Sequence, residues 1–175
     1  MKEKTLKYLC LSVISIYFLF GLFFFGMDKD VNSKGQHLEN SKGQEIAFKM
    51  NELEKEVMKR IHTIDQQKKD NILDSDTLLS EIENSRQYLQ DHFAEENITN
   101  ETSLNLLYHS SLLTSLGEYY EIDDNNLPRV SRAIHSSTID QLCGGLNADM
   151  EKQLKEEIKK LTKEQSVELV KVILA

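Results

Sequence analysis

The sequence predicts an all-α protein in which an N-terminal transmembrane helix precedes a small bundle of five or six helices. Three observations support this fold class. An uncharged apolar run occupies residues 8–27, the chain has one Pro and seven Gly among its 175 residues, and apolar residues elsewhere recur every three or four positions. Because that spacing buries one face of a helix, and a β protein needs more turn residues, we expect a helical body.

The run YLCLSVISIYFLFGLFFFGM, residues 8–27, is expected to span a membrane. It contains twenty residues and no charge. As an α-helix it would be about 30 Å long, which matches the hydrocarbon thickness of a bilayer. Residues 1–7 precede it as a short basic leader that contains Lys2, Lys4 and Lys7.

This run is interpreted as an uncleaved signal anchor. A cleaved signal peptide usually has a shorter apolar core followed by small residues at alternate positions, whereas bulky Phe24 stands two residues before Gly26 here. Three lysines precede the run, and only Lys29 and Lys34 follow it closely. The positive-inside bias therefore places the leader in the cytoplasm and the rest of the chain outside, in a single-pass protein of the inner or plasma membrane.

Residues 28–43 are predicted to be a flexible linker. The pentapeptide NSKGQ occurs twice here, at residues 32–36 and 40–44, and the linker contains only two apolar residues, Val31 and Leu38. This composition buries too little surface to offset the entropy of ordering the backbone. Because stability depends weakly on loop length, a local duplication in such a segment is expected to be neutral.

Residues 44–175 are expected to form the helical domain. Its first helix is predicted over about residues 44–67 by an apolar stripe. The stripe consists of Ile46, Met50, Leu53, Val57, Ile61 and Ile64. It either packs on its own domain, which is the favoured interpretation, or forms a short coiled-coil seam in a homodimer. Arg60 interrupts the heptad pattern that the seam requires.

Local start and stop signals delimit the remaining helices. Asp76 is expected to cap the second helix, Pro128 suits the first turn of the fourth, and Gly144 suits its C-terminal end. Thr162 and Gln165 have the spacing of a capping box. The expected helices cover about residues 76–93, 101–121, 128–143, 146–158 and 161–173.

The charge of the chain argues against nucleic-acid binding. The total net charge is −8, and because residues 1–27 carry three Lys and one Glu, residues 28–175 carry −10. Such a body repels phosphate backbones and anionic lipid headgroups. An acidic surface is typical of a solvated face of a protein, and the alternative is that it binds a basic partner.

No catalytic, cofactor-binding or metal-binding residue is predicted, and no cofactor is expected. The five histidines include no pair three or four residues apart, so no single helix offers two imidazoles to a metal. His92 with Glu95 and Glu96 comes nearest to a ligand cluster, and a solvated helix end explains it better. Cys143 is expected to be buried, with an intermolecular disulfide as the alternative.

These features together predict a non-enzymatic protein. The expected function is a single-pass, membrane-anchored helical module for protein–protein interaction outside the cytoplasm, as an adaptor or a subunit of an envelope complex. The expected contacts are the membrane, through residues 8–27, and another protein. The alternative is a secreted helical effector or toxin-like protein whose signal peptide is removed.

Overall fold

The computed structural model describes residues 36–175 except residues 94, 96, 97 and 123, with side chains described from residue 43 onward. The predicted leader, the predicted transmembrane run 8–27 and residues 28–35 of the predicted linker lie outside the described residues. The chain divides into two units at Gly43, and the second unit, Gly43–Ala175, is compact. Within residues 36–175, no helix carries an apolar stretch long enough to cross a bilayer.

The described residues form six α-helices and no strands, which confirms the prediction of an all-α fold. The helices are α1 (Gln36–Lys69), α2 (Ser75–His92), α3 (Asn100–Tyr119), α4 (Asn126–Leu142), α5 (Ala148–Ile158) and α6 (Lys163–Leu174). Helix α3 packs against α2 and α4, α2 packs against α6, and α4 contacts α5 and α6. The second unit is therefore a helical bundle in which α2, α3 and α4 are consecutive neighbours.

Helix α1 begins at Gln36, inside the range 28–43 for which the sequence predicts a flexible linker. Such a composition disfavours order in an isolated segment, but a helix that packing has already nucleated extends at little cost per residue. Gly43 in the helix interior costs only about 1 kcal/mol relative to Ala. No Pro occurs before Pro128 to end the helix earlier.

The apolar stripe of α1 supplies one side of the core. Val57, Ile61 and Ile64 are at most 3% exposed and belong to the main hydrophobic cluster. Further toward the N-terminus, Ile46 and Leu53 are only partly buried. The C-terminal half of the stripe thus packs on its own domain, as the favoured interpretation holds, and the homodimer stays a prediction.

The helix boundaries follow the capping signals closely. Helix α2 is capped by Asp74, whose carboxylate accepts the backbone N–H of Asp76 at 3.0 Å, so Asp76 lies in the first turn and is not the cap as predicted. Pro128 lies in the first turn of α4, and Gly144 follows α4 with a positive φ of 79°, both as predicted. The capping box of Thr162 at the start of α6 is also present.

Arg86 on α2 is the one charged residue in the buried class among the described residues, at 6% exposure. Its five N–H groups all have acceptors. Glu83 receives two bonds, at 3.0 and 2.6 Å, and the side-chain carbonyls of Gln87 and Gln90 accept at 3.2 and 2.5 Å. The fifth goes to the carbonyl of Leu161 at 3.3 Å, between α5 and α6. This guanidinium therefore links α2 to the C-terminal helix pair.

Helices α3 and α4 are in close contact where Gly117 faces Pro128. A Cβ atom at position 117 would lie 2.5 Å from the Cβ of Pro128, far inside van der Waals contact. Both residues are buried, so neither can move into solvent. Only glycine fits at this crossing.

We predict that Gly117→Ala destabilises the domain by about 1–3 kcal/mol, because the added methyl group overpacks a buried crossing. Thermal unfolding of the full-length chain in detergent, followed by circular dichroism, measures the change. Gly145→Ala is the matched control, since its new Cβ would meet only the carbonyl oxygen of Asp140, at 3.7 Å. Equal midpoints for the two variants would contradict the prediction.

Candidate functional site

Two shallow grooves meet at Tyr108 and His109 on α3. The first, here called the polar groove, has a volume of about 580 Å³ and lies between α1, α2 and α3. The second, here called the apolar groove after its exposed Phe48, has a volume of about 520 Å³ and lies between α1 and α3. Besides the two shared residues, the polar groove is lined by Arg60, Asp76, Thr77, Ser80, Glu81, Asn84, Ser85 and Leu112. The apolar groove is lined by Phe48, Lys49, Glu52, Leu53, Glu56, Leu104 and Asn105.

Helical spacing places these side chains together. On α1, Lys49, Leu53, Glu56 and Arg60 are three or four positions apart and therefore share one flank of the helix. On α3, Leu104, Tyr108 and Leu112 are each four positions apart and face that flank. The two grooves thus follow α1 from the Phe48 end to the Arg60 end.

An ion pair between Arg60 and Glu81 links α1 to α2 in the polar groove. The Arg60 Nε donates to Glu81 Oε1 at 2.6 Å, and its Nη2 donates to the other carboxylate oxygen. The side chains are 31% and 21% exposed, so the pair is partly shielded from solvent. Hydrogen bonding to Glu81 raises the pKa of Arg60. This contact explains why an arginine interrupts the apolar stripe of α1.

Tyr108 separates the two grooves and stands among charged groups. Burial is the main reason that the pKa of Tyr108 is raised, and the carboxylates of Glu81 and Glu56 raise it further, while Arg60 opposes them. The phenol is therefore a neutral hydroxyl at physiological pH. It presents an aromatic face and a hydrogen-bonding tip, a combination that is common in binding surfaces.

His109 is held by a column of aromatic rings. Tyr88 stacks on His92 with centroids 4.0 Å apart and an interplanar angle of 7°, and it also contacts the His109 ring at 4.5 Å. The Nδ1 of His109 lies 2.9 Å from the Ser85 hydroxyl. Burial lowers the pKa of His109, and the neighbouring His92 lowers it further.

A second serine–histidine bond joins α3 to α4. The Ser111 hydroxyl lies 2.9 Å from Nδ1 of His135, and burial lowers the pKa of that histidine. Helix α3 is thus hydrogen-bonded through its His109 to α2 and through its Ser111 to α4. Because Ser85 is only 2% exposed, its bond to His109 joins helices and does not present a hydroxyl to solvent.

The residues singled out from the sequence are not brought together in a site. His92 lies in the last turn of α2 and is half-buried against Tyr88, so this helix end is partly solvated; Glu95 is exposed, and Glu96 lies outside the described residues. Cys143 is exposed, which contradicts the expected burial: α4 ends at Leu142, and its last turn has left the core. In the part of the chain that the structure describes, no group of three His, Cys, Asp or Glu side chains could hold a metal ion.

Comparison with known proteins gives no relative. No family model, curated protein or solved structure matches the chain.

We predict that the domain loses stability on mild acidification because of His109 and His135. Both have pKa values lowered in the folded state, so the unfolded chain binds protons more readily. The stability that the two histidines contribute is fully present above the unfolded pKa of about 6.5. It is lost as the pH falls from there toward their pKa values in the folded state. Each kcal/mol lost should lower the unfolding midpoint by about 4 °C.

Unfolding midpoints at pH 7.5 and 5.5 test this prediction. The double variant His109→Asn with His135→Asn should show a smaller difference between the two pH values than the wild type. The exposed His62 provides the control, since His62→Asn should leave the wild-type difference unchanged. An unaltered pH difference in the double variant would refute the assignment.

Proposed function

We propose that this chain is a membrane-anchored, non-enzymatic module for protein–protein interaction, whose helical domain docks another protein outside the cytoplasm as an adaptor or a subunit of an envelope complex. The observation that carries the proposal is the apolar groove. There Phe48 is 65% exposed beside the partly buried side chains of Leu53, Leu104 and Tyr108.

Exposed apolar surface at a groove favours a partner over solvent. Covering apolar area contributes about 25 cal/mol per Å², and a rim of charged residues around an apolar centre is the usual anatomy of a protein interface. Lys49, Glu52 and Glu56 form such a rim around Phe48 and Leu53. Aromatic side chains such as Tyr108 commonly contribute most to the affinity of these surfaces.

The proposed anchor is supported by the sequence. Residues 8–27 form an uncharged run of bilayer length behind a basic leader. An anchored module meets its partner at a raised effective concentration, because both are confined to one membrane surface. A shallow groove of modest affinity is then sufficient for a stable contact.

The mature N-terminus should contain the apolar run, and the chain should stay with the membrane. We expect mass spectrometry of the mature protein to find peptides from residues 8–27, and we expect alkaline carbonate to leave the chain in the membrane fraction. A mature N-terminus near Asp28 would instead support the secreted alternative and remove the anchor from the proposal.

Photo-crosslinking in native membranes tests the docking surface. A benzophenone amino acid at Phe48 should give one recurrent adduct with another protein. Met150, which is 62% exposed on α5, is the matched control position and should not give that adduct. No adduct at position 48, or the same adducts at both positions, would contradict docking at the apolar groove.

A further inference from the structure

We infer that the apolar groove and the polar groove together bind a basic amphipathic helix of the partner protein. This inference rests on the proposed function and specifies the chemistry of the partner. Twelve residues separate Phe48 from Arg60 along α1, so the two grooves extend over about 18 Å. That length accommodates about three turns of a helix lying alongside α1 and α3.

The apolar side chains of the grooves are arranged to receive one face of a helix. Leu104 and Tyr108, four positions apart on α3, are partly buried and lie opposite the partly buried Leu53 of α1. Leu112, one turn further along α3, is 1% exposed and forms the floor of the polar groove. A helix with apolar residues at every third or fourth position fits this spacing, because its stripe would lie along the row of side chains. Exposed Phe48 would cover the end of such a stripe.

The charge that remains free in the grooves is negative. Both basic residues are already engaged, Lys49 with Glu45 at 2.7 Å and Arg60 with Glu81. Two acidic residues, Glu56 in the apolar groove and Asp76 in the polar groove, have no ion pair in the described part of the chain. A partner with Lys or Arg beside its apolar stripe would supply those ion pairs.

Charge also argues against a second copy of this chain as the occupant. Residues 28–175 carry a net charge of −10, so the acidic surface of another copy would be repelled from acidic grooves. Like charges that meet across an interface suppress wrong partners. The basic partner helix is the occupant that complements both the apolar row and the free carboxylates.

Peptide binding to the full-length protein in phosphatidylcholine nanodiscs tests the inference, with the signal from empty nanodiscs subtracted. The probe is a fluorescein-labelled peptide of about fourteen residues with Leu at every third or fourth position and Lys beside them. In the matched acidic probe, Glu replaces Lys. We expect the basic probe to bind at least tenfold more tightly than the acidic probe and to weaken as salt is added.

Charge removal in the grooves should reduce binding of the basic probe. The double variant Glu56→Gln with Asp76→Asn should weaken it about threefold to tenfold, since two partly exposed ion pairs are lost. The matched control is Glu54→Gln with Asp149→Asn, which removes an exposed α1 carboxylate and a first-turn carboxylate of α5. The control should bind as the wild type does, and unfolding midpoints verify that both variants are folded.

Equal binding of the basic and acidic probes, or equal binding by the groove and control variants, would overturn the inference. Failure of the inference differs from failure of the proposed function. If the basic probe does not bind but position 48 still crosslinks to one protein in membranes, then docking stands and the stated partner chemistry is wrong. If crosslinking also fails, both are wrong.

Discussion

The buried guanidinium of Arg86 is the polar contact that we expect to hold the two short C-terminal helices, α5 and α6, against α2. Helices α5 and α6 have 11 and 12 residues, a length at which an isolated helix is marginal in water. The connection between them leaves backbone carbonyls that need donors, and Gln90 beside Arg86 donates to Leu161 at 2.6 Å and to Ile158 at 3.3 Å. Burying a charge is unfavourable unless every N–H group finds an acceptor, which this network achieves.

Helix α2, which carries Arg86, also contributes residues to the candidate site. The N-terminal half of α2 carries Asp76 and Glu81 in the polar groove, and Arg86 lies between one and two turns beyond Glu81. Because Glu81 pairs with Arg60, α2 also fixes the flank of α1 that lines both grooves. Helix α3 completes the site with Tyr108, whose position follows from its packing against α2 and α4. The proposed docking surface therefore depends on how α1, α2, α3 and α4 pack together.

The sequence predicts the fold well and the site poorly, for identifiable reasons. Helical spacing and caps are local properties, so the stripe ending at Ile64 and the end of α4 shortly before Gly144 could be predicted from the sequence alone. The pairing of Arg60 with Glu81 spans 21 residues and depends on which helices become neighbours, which spacing alone does not specify. The burial of Arg86 could likewise not be predicted from the sequence, because a lone arginine among acidic residues has the pattern of a solvated side chain. Arg60 was the one available signal, since a charge inside an apolar stripe requires a partner.

Hydrogen–deuterium exchange of the full-length protein with Arg86→Leu tests the dependence on this contact most directly. The account predicts faster exchange in α5 and α6 than in α3, together with a loss of about 2–4 kcal/mol in the free energy of unfolding. Arg129→Leu is the matched control, because Arg129 also reaches α5, through Glu157 at 3.4 Å, but is 60% exposed and should change little. Unchanged exchange in residues 148–174 of Arg86→Leu, or equal effects of the two variants, would contradict the account.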